Sequence, residues 1–428
     1  MIKSSKVLVS TVGAWSDSVG SNTMSEFFKY YDKDKLASLY IRANISDSPS
    51  CNRYFHILEG RVLKSIFKHK VQTGEEYSTD RELVDYSDLD EERARYDKFR
   101  KKKNWFYILA REFVWKIGKW RTKELDAFLD DFNPDVLVCP IESYIHFNRI
   151  NEYIVKKKHP RVIGFLWDDN FTYKQDPYSF GYRLHRWWLR KGVKRMVKKC
   201  ETIVVLSPKM KMEADKEFGF NSIILTKPIF NQPKFNEYMP SKPLRLLYTG
   251  NLYVNRDQTI ATLVDVIREV NSTGQNVHLD VYTSTPIKPE LEERIRVDGS
   301  CVVHEPVKQS EVLQLQKEAD VLLFVEDLDS STGGYARLSF STKLTDYFCA
   351  GKCIWAIGSD QMSAIDYLKS RDAALCSLDR KSIHETLIRL VSESALVNEY
   401  AYKGWKCGND NHNSLKILNK FYSLIDNR

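Results

Sequence analysis

The sequence predicts an α/β protein built from two doubly wound, Rossmann-like domains that face each other across a cleft. Two observations lead to this prediction. Short β-branched apolar runs alternate with helical patterns almost throughout the chain, and one Pro-containing segment, FNQPKFNEYMPSKPLR (230–245), interrupts the alternation. Uninterrupted apolar runs are typical of strands buried on both faces of a parallel sheet. Their alternation with helices indicates a doubly wound architecture.

The individual elements follow one another along the chain. The strand-like runs are KVLVSTVG (6–13), DVLVC (135–139), RVIGFLW (161–167), TIVVL (202–206), SIILT (222–226), LRLLYTG (244–250), NVHLDVYT (276–283), CVVHE (301–305), DVLLFVE (320–326), KCIWAIG (352–358) and AALCS (373–377). Helical patterns such as 256–271 and 309–319 separate the later runs. A fresh strand follows the interrupting segment at once, so we place the domain boundary near residue 238. One domain is expected over 1–237 and the other over 238–410.

Size and composition fit a soluble two-domain protein. The chain has 428 residues, 43% of them hydrophobic and 29% charged, which is usual for globular domains. Its first residues lack the apolar region of a signal peptide, and no run approaches the ~20 apolar residues of a membrane span. The eight cysteines are scattered without a CxxC pair, as expected of free thiols in a reducing compartment. We therefore expect a cytoplasmic protein without a structural metal site.

Basic residues are concentrated in two segments rich in aromatic residues, 99–123 and 183–199, within a chain of net charge +8. A basic, aromatic surface favours an anionic partner such as lipid headgroups. In a helix over 183–199, one face would carry Arg186, Arg190, Lys194 and Lys198. Such a helix suits an anionic membrane surface, although any surface helix with a basic outer face shows the same pattern. We expect possible peripheral contact with the inner membrane face and, without a nucleic-acid motif, no nucleic-acid partner.

Polar residues follow two strands of the predicted first domain, where ligands of doubly wound sheets bind. After the first strand, STVGAWSDSVGSN (10–22) precedes a helix. Its small residues Gly13, Ser18, Gly20 and Ser21 form a candidate phosphate or acceptor loop, or else an ordinary strand-to-helix connection. After RVIGFLW, the adjacent Asp168 and Asp169 are candidates for orienting or deprotonating an acceptor hydroxyl. The alternative is an aspartate N-cap beside a solvated neighbour.

The second domain opens with LLYTGNLYVNRDQTI (246–260), in which a strand runs into Gly250 and Asn251 and then into a helix starting near Arg256. Glycine permits close approach of a ligand to the backbone. An arginine at a helix start suits a diphosphate, because the helix dipole also favours an anion there. The alternative is a solvent-facing arginine in a connecting loop.

FSTKLTDYFCAGKCIWAIG (340–358) predicts a short helix that ends at Gly351. Ser341 and Thr342 are candidate N-caps, which an ordinary surface helix would also have. Lys343 in the first turn opposes the helix dipole, so a facing anion explains it better. Asp346 lies three residues later on the same face, where a carboxylate can accept the hydroxyls of a ribose. Together these residues predict a binding site for a nucleotide sugar.

These segments resemble the glycosyltransferases of the GT-B fold, especially family 4 and its capsule and lipopolysaccharide relatives. LLYTGNLYVNRDQTI resembles their GRL…KG diphosphate loop, and STKLTDYFCAGKCIWAIG resembles their SK…EYxAxGKPVxA nucleotide helix. TIVVLSPKMKMEADKEFG (202–219) looks like the segment that closes their first domain. The resemblance implies an acceptor-binding domain over 1–237, a nucleotide-sugar domain over 238–410, and a C-terminal helix over 411–428 that crosses back to the first.

The resemblance implies transfer of a sugar from a nucleoside-diphosphate sugar to a hydroxyl of a saccharide in cell-surface polysaccharide synthesis, and a lipid-linked saccharide is the expected acceptor. It implies donor binding by Gly250, Asn251, Arg256, Ser341, Thr342, Lys343 and Asp346, without a metal or other cofactor, and retention of anomeric configuration. The chain departs from the family at Asn251, where many members have arginine, and at Leu338, where the first glutamate of an E-x7-E motif would fall. That glutamate touches the donor sugar, so the identity of the sugar is left open.

Three alternatives remain at this point. A metal-dependent GT-A-type transferase would use the DLD at 327–329, but the same pattern recurs at 88–90. A GT-B-fold sugar-nucleotide epimerase would need no acceptor. A non-catalytic scaffold of the same fold would bind a nucleotide, membrane or nucleic acid through the basic aromatic segments.

Overall fold

A computed structural model describes most of the chain and divides it into two compact units. The described residues are 5–15, 23–68, 70–78, 105–174, 179–297, 299–329 and 337–426, together with Leu89 and Ala94. The first unit comprises Met1–Leu206, Lys211–Leu225 and Leu418–Arg428, and the second comprises Ser207–Met210 and Thr226–Ile417.

The first unit contains a sheet of eight strands. Its strands are β1 (Val7–Ser10), β2 (Leu36–Tyr40), β3 (Arg53–Ile57), β4 (Gly74–Ser78), β5 (Val136–Pro140), β6 (Arg161–Leu166), β7 (Thr202–Val205) and β8 (Ile223–Ile224). The helices before β8 are α1 (Thr23–Phe27), α2 (Glu59–Phe67), α3 (Trp105–Ile117), α4 (Lys123–Phe132), α5 (Ile145–Lys158), α6 (Phe180–Val197) and α7 (Pro208–Phe218), with a 3-10 turn at Lys33–Lys35.

The sheet of the first unit runs in the order β4-β3-β2-β1-β5-β6-β7-β8. Every neighbouring pair is parallel except β3 and β4. Strands such as VLVS and VLVCP are fully buried, as their apolar sequences predict. The strand order reverses direction at β1, whose two neighbours are β2 and β5. Such a reversal opens a crevice at the carboxyl ends of the strands.

The second unit contains a sheet of six parallel strands. Its strands are β9 (Leu244–Thr249), β10 (Val277–Tyr282), β11 (Cys301–His304), β12 (Val321–Val325), β13 (Cys353–Ile357) and β14 (Leu375–Ser377). The remaining helices are α8 (Arg256–Ser272), α9 (Pro289–Ile295), α10 (Gln309–Glu318), α11 (Lys343–Ala350), α12 (Ser363–Ser370), α13 (Arg380–Ser392), α14 (Ser394–Asn411) and α15 (Ser414–Asp426).

The second sheet runs in the order β11-β10-β9-β12-β13-β14, so its direction reverses between β9 and β12. Apolar side chains of α8, including Ile260, Val264 and Ile267, pack on the sheet in one buried cluster. This burial follows from their i, i+4, i+7 spacing. The predicted α/β architecture of two mostly parallel sheets is confirmed, and the reversal point identifies where a ligand of the second sheet should bind.

The boundary between the units lies upstream of the predicted position near 238. The second unit already includes the segment from Thr226, because that segment bonds to its helices. Gln232 Nε2 donates to the carbonyls of Phe348 at 3.1 Å and Trp405 at 2.9 Å. The polar, Pro-containing sequence suggested a linker, but its backbone and amide groups are hydrogen-bonded to the second unit.

The last helix of the chain, α15, packs on the first unit through its second half. The Phe421 ring lies 4.8 Å from that of Phe27 and 5.2 Å from that of Phe28. Arg161 donates to the carbonyls of Leu424 and Ile425 at 3.0 and 2.7 Å. The end of the chain therefore completes the unit that its beginning forms.

Candidate functional site

A cavity of about 180 Å³ lies in the second unit at the reversal point of its sheet. Its lining comes from the end of β9, the start of α8, the end of β12 and the start of α11. The lining residues are Tyr248, Gly250, Asn251, Arg256, Leu323, Phe324, Val325, Glu326, Ser341, Lys343 and Tyr347. Five of the seven predicted donor-binding residues therefore surround one cavity. The carboxyl ends of two neighbouring strands bring them together, as expected for a doubly wound sheet.

Gly250 lets Lys343 reach the end of β9. The glycine has φ +147°, and a Cβ placed on it would come within 1.7 Å of Lys343 Nζ. No side chain can occupy that position while the lysine stays where it is. Lys343 Nζ donates to the carbonyl of Thr249 at 2.7 Å. The glycine is thus required by the lysine beside it as well as by its own backbone conformation.

Lys343 is a largely buried cation with another cation near it. Burial and the neighbouring Arg256 lower the pKa of Lys343 to about 8, while Glu326 and Asp346 oppose this shift. Removing a charge from water disfavours the charged form, and a like charge adds to the effect. An anion entering the cavity would oppose both contributions, because its negative charge favours the charged form of the lysine. A negatively charged ligand bound in the cavity would therefore stabilise the charged form of Lys343.

Arg256 forms a close ion pair with Glu326 across the reversal point. Arg256 Nε lies 2.9 Å from Glu326 Oε2, and Arg256 Nη2 lies 2.9 and 2.7 Å from the two carboxylate oxygens. The Glu326 side chain is only 6% exposed. Burial raises the pKa of Glu326, and the contacts with Arg256 counteract the rise. The pair fixes the orientation of the guanidinium at the start of α8.

Asn251, Ser341 and Thr342 have different surroundings. The backbone carbonyl of Asn251 accepts the Tyr248 hydroxyl at 2.6 Å, and its side chain accepts Ser284 Oγ at 3.1 Å. Ser341 Oγ accepts the Lys343 backbone N–H at 3.4 Å. Thr342 stands at the N-cap position of α11 but makes no capping bond with its side chain, and its φ and ψ are helical. Capping at this helix start therefore falls to Ser341.

Asp346 lies on α11 but does not line the cavity. Its carboxylate accepts Gln309 Nε2 at 3.5 Å. Burial raises the pKa of Asp346, and Lys227, Gln309 and Lys343 oppose the rise. The helix ends at Gly351 in the left-handed conformation, φ +61°, as the sequence predicts. Asp346 is thus a partly buried carboxylate one helical turn from Lys343, beyond the cavity rim.

The two aspartates after β6 in the first unit have different environments. Asp169 is 1% exposed and accepts the backbone N–H and the hydroxyl of Thr172 at 3.0 and 2.5 Å. Arg186 Nη2 lies 3.4 Å from the same carboxylate. These contacts account for Asp169 as a structural residue of the loop. Asp168 is exposed, so it is the member of the predicted pair that a ligand can reach.

Gly13 follows β1, and its neighbours are the side chains of Asn44 and Arg42. Asn44 accepts the Ala14 N–H at 3.1 Å and donates to the Ala14 carbonyl at 3.2 Å, so this loop is fixed to the end of β2. Ser18, Gly20 and Ser21 lie outside the described residues. Their proposed role in an acceptor or phosphate loop stays a prediction.

The predicted basic face of α6 is wrong in its first half. Arg186 is 8% exposed, and its Nε donates to the Thr172 carbonyl at 2.7 Å. Arg190 pairs with Glu217 at 3.0 Å. Both arginines hold the loop after β6 and α7 against this helix, because their long side chains reach buried carbonyl and carboxylate groups. The apolar side chains of this helix that are buried include Leu189, Val193, Met196 and Val197.

Metal ligation finds no support among the described residues, where no group of three or more His, Cys, Asp and Glu side chains is placed to hold an ion. In the DLD segment, the Asp327 carboxylate accepts Asn255 Nδ2 at 3.0 Å and the Asp329 N–H at 2.9 Å. These bonds organise the loop after β12. No helix of the described chain is long and apolar enough to span a bilayer.

Comparisons with known proteins show which solved structures share this architecture. No family model and no curated protein sequence match the chain. Among solved structures, Anabaena HepE in complex with UDP matches with TM-score 0.61 and 7% identity over 99% of this chain and 100% of that one. WaaG, a glycosyltransferase involved in lipopolysaccharide biosynthesis, matches with TM-score 0.54 and 12% identity over 98% and 99%.

The chain has the GT-B fold. A third match supports this assignment, a mutant of S. aureus TarM in complex with Fondaparinux, alpha-GlcNAc-glycerol and UDP, at TM-score 0.50 and 10% identity. It covers 70% of this chain, which spans 57% of the TarM chain. Within the GT-B fold, the cavity occupies the reversal point of the second sheet. The resemblance inferred from the two motif segments is therefore confirmed at the level of fold.

Two functional candidates in this structure were not assigned from the sequence. Glu326 was not among the predicted site residues, yet it is the partner of Arg256. Glu142, directly after β5, was not singled out at all. Both follow the strand next to the reversal point of their sheet, which the order of strands reveals. The signal available in the sequence was only a glutamate at the end of an apolar run.

Proposed function

We propose that this protein is a glycosyltransferase that binds a nucleoside-diphosphate sugar in the cavity of its second unit. The observation that carries the proposal is the pair of cations, Arg256 and Lys343, at the reversal point of a GT-B sheet. Both stand at helix starts, where the helix dipole also favours a diphosphate. The solved complexes of HepE with UDP and with UDP-glucose support this choice of ligand.

The chemistry needs stabilisation of a leaving diphosphate as its bond to the anomeric carbon breaks. Fixed cations can provide this stabilisation because they are oriented before the reaction begins. Lys343 and Arg256 would neutralise the developing charge, and Asp346 would accept ribose hydroxyls. We propose that no metal takes part. The expectation is that adding a chelator leaves transfer unchanged.

The contact with the donor sugar differs from the pattern that the family resemblance implies. Leu338 is fully buried, so this position offers no carboxylate to a ligand. Glu326 lines the cavity instead. We propose that Glu326 orients Arg256 and faces the donor sugar from the end of β12. Retention of anomeric configuration is the proposed outcome, because the resemblance to family 4 implies it.

A thermal-shift screen with UDP, GDP, CDP and dTDP, each with and without EDTA, tests donor binding. The expected result is stabilisation by one nucleotide, unchanged by EDTA and lost in Lys343→Ala and Asp346→Ala. Lys381→Ala is the matched control, because this lysine of the same unit is 86% exposed and should not affect binding. Absence of a shift with every nucleotide would contradict the proposal and favour a non-catalytic scaffold. Release of a new sugar nucleotide without acceptor would indicate an epimerase.

We further propose a lipid-linked saccharide acceptor, cell-surface polysaccharide synthesis as the role, and peripheral contact with the inner membrane face. Exposed apolar side chains of α3 and α6 support this. Phe106 is 60% exposed, Phe113 57%, Phe180 82% and Trp187 47%. The two helices meet where Trp105 packs against Gly181. Lys191 Nζ lies 3.7 Å from the centre of the Trp187 ring, which adds positive charge beside the apolar side chains.

Sedimentation with lipid vesicles tests the membrane contact. Vesicles of phosphatidylcholine with phosphatidylglycerol should bind the protein more strongly than phosphatidylcholine alone. Phe180→Ser should weaken binding by roughly ten- to a hundredfold, because inserting a phenylalanine contributes roughly 1.5–3 kcal/mol. The matched control is Phe67→Ser, since Phe67 is 81% exposed in the same unit but belongs to α2. Equal binding of both variants and the unsubstituted protein would contradict a role for this surface.

A further inference from the structure

The reversal point of the first sheet carries a second set of polar residues. The carboxyl ends of β1 and β5 lie side by side there, with β2 and β6 on either side. Arg42 follows β2, Glu142 follows β5, and Asp168 follows β6. Strand order alone therefore brings one guanidinium and two carboxylates to the crevice of this sheet. This is the place where doubly wound sheets bind ligands.

Glu142 is held rigidly by its backbone. Its N–H donates to Asn148 Oδ1 at 3.2 Å, and its carbonyl accepts Asn148 Nδ2 at 2.9 Å. Asn148 itself is 1% exposed, so one buried side chain fixes both sides of this residue. A rigid backbone gives the carboxyl group a defined position, which a recognition residue requires.

The charged groups around Glu142 come from two other strand ends. Burial and the charge of Asp168 raise the pKa of Glu142 to about 7, whereas Arg42, the Ser143 N–H and Trp167 oppose the rise. Two carboxylates that share a site do not ionise independently, because the second charge is repelled by the first. Below about pH 7 the pair therefore carries one proton between its members, and it loses this proton as pH rises through 7.

Two buried amide side chains, Asn170 in the loop after β6 and Asn151 in α5, have polar atoms without a hydrogen-bond partner among the described residues. Asn170 is 1% exposed, and its Nδ2 bonds the carbonyl of Ile141, next to Glu142, while its Oδ1 has no partner. Asn151 Oδ1 accepts Ser10 Oγ, at the end of β1, at 2.6 Å, while its Nδ2 has no partner. Leaving such atoms unpaired costs about 1–3 kcal/mol each, which indicates a site for a polar ligand.

We propose that Glu142, Asp168 and Arg42 form a binding site for the hydroxyl groups of a saccharide, in which Glu142 contacts the hydroxyl that receives the sugar. This proposal rests on the proposed function, because it assigns the acceptor of that reaction. A protonated Glu142 donates to a sugar oxygen, and an ionised Asp168 accepts from a sugar hydroxyl. Arg42 balances the remaining negative charge. A neutral saccharide thus meets donors and acceptors rather than two repelling carboxylates.

The protonation state of the pair makes saccharide binding dependent on pH. The singly protonated pair predominates below about pH 7 and is lost above it, when both carboxylates ionise. Covering two charges with a neutral ligand costs more than covering one. Saccharide affinity should therefore fall as pH rises through 7. In Asp168→Asn the like charge is absent, so Glu142 should ionise at lower pH and the fall should move with it.

Saturation-transfer NMR with methyl glycosides of glucose, galactose, mannose and glucuronic acid, in the presence of UDP, tests the site. The expected result is binding of at least one glycoside, weakened about tenfold in Glu142→Ala by loss of a hydrogen-bonding carboxyl. Asp168→Asn should shift the pH dependence downward. The matched control is Asp131→Asn, because Asp131 is 72% exposed in the same unit and lies in the last turn of α4, outside the set.

The outcomes separate this inference from the proposed function. UDP should stabilise all four proteins equally, since the substitutions lie outside the second unit. UDP binding without binding of any glycoside would overturn the saccharide site while leaving the donor site intact. Equal glycoside affinity in Glu142→Ala and the unsubstituted protein would overturn the role of Glu142. Loss of UDP binding in the unsubstituted protein would overturn both.

Discussion

At the scale of single residues, the shape and charge of the cavity in the second unit depend on the position of Lys343. Lys343 occupies the space above Gly250 and donates to the end of β9. Its charge lies near that of Arg256, and the negative charge of Glu326 partly balances the two positive charges. A buried cation of this kind loses its proton more easily than a surface lysine. The affinity for an anionic ligand should therefore depend on the protonation state of Lys343.

We predict that UDP binds about tenfold more weakly at pH 9 than at pH 7. Lys343 has a pKa of about 8 in the free protein, so its charge is present below that value and is lost above it. A diphosphate binds the charged form, and affinity therefore falls as pH rises through 8. Isothermal titration calorimetry across this range measures the change. Uptake of protons on binding near pH 8 should accompany it.

Two variants make this prediction specific to Lys343. Lys343→Met should bind UDP weakly at every pH and show no fall between 7 and 9. Lys381→Met should behave as the unsubstituted protein, because its ammonium group is 86% exposed. A constant affinity of the unsubstituted protein from pH 7 to 9 would show that the lysine does not bind the diphosphate in its charged form.

At the scale of elements, the sequence predicted the strands with continuous apolar sequences far better than the strands that contain polar residues. Runs such as VLVCP and VLLFV are apolar throughout and coincide with β5 and β12. By contrast, β2, β3 and β4 were missed. RYFHI and GEEYS mix charged and apolar residues, so neither a continuous run nor a clear alternation marks them. Their strand conformation comes from pairing with neighbours.

The candidate site shows the same division between local and long-range information. The start of α8 at Arg256 and the span of α11 from Lys343 to its end at Gly351 follow from local signals, and both are found in the structure. The Arg256–Glu326 pair joins residues 70 positions apart, which only the order β9-β12 brings together. The predicted basic face of α6 failed for the same reason, because partners of Arg186 lie in another loop.

At the scale of the whole molecule, the polar residues proposed to bind ligands lie at the reversal point of the sheet in each unit. In both units a glutamate follows the strand beside that point, Glu142 in the first and Glu326 in the second. An arginine lies near each glutamate, but the local balance of charge differs between the two sites. Glu326 is paired directly with Arg256, whereas Glu142 stands beside a second carboxylate. One crevice is therefore suited to an anion and the other to a neutral polyhydroxyl ligand.

The end of the chain provides the last prediction, because the first unit is completed by residues that come after the second. Phe421 is fully buried and contacts Phe27 and Phe28. Phe421→Ala should lower the free energy of unfolding of the first unit by about 3–5 kcal/mol through loss of burial and the cavity that remains. Denaturant unfolding monitored by fluorescence measures this change.

Leu415→Ala is the control, because Leu415 is 66% exposed on the same helix and its removal should cost little. UDP should still stabilise the second unit of the Phe421 variant, so that two unfolding transitions separate where the unsubstituted protein shows them closer together. A Phe421 variant as stable as the Leu415 variant would mean that α15 contributes nothing to the first unit.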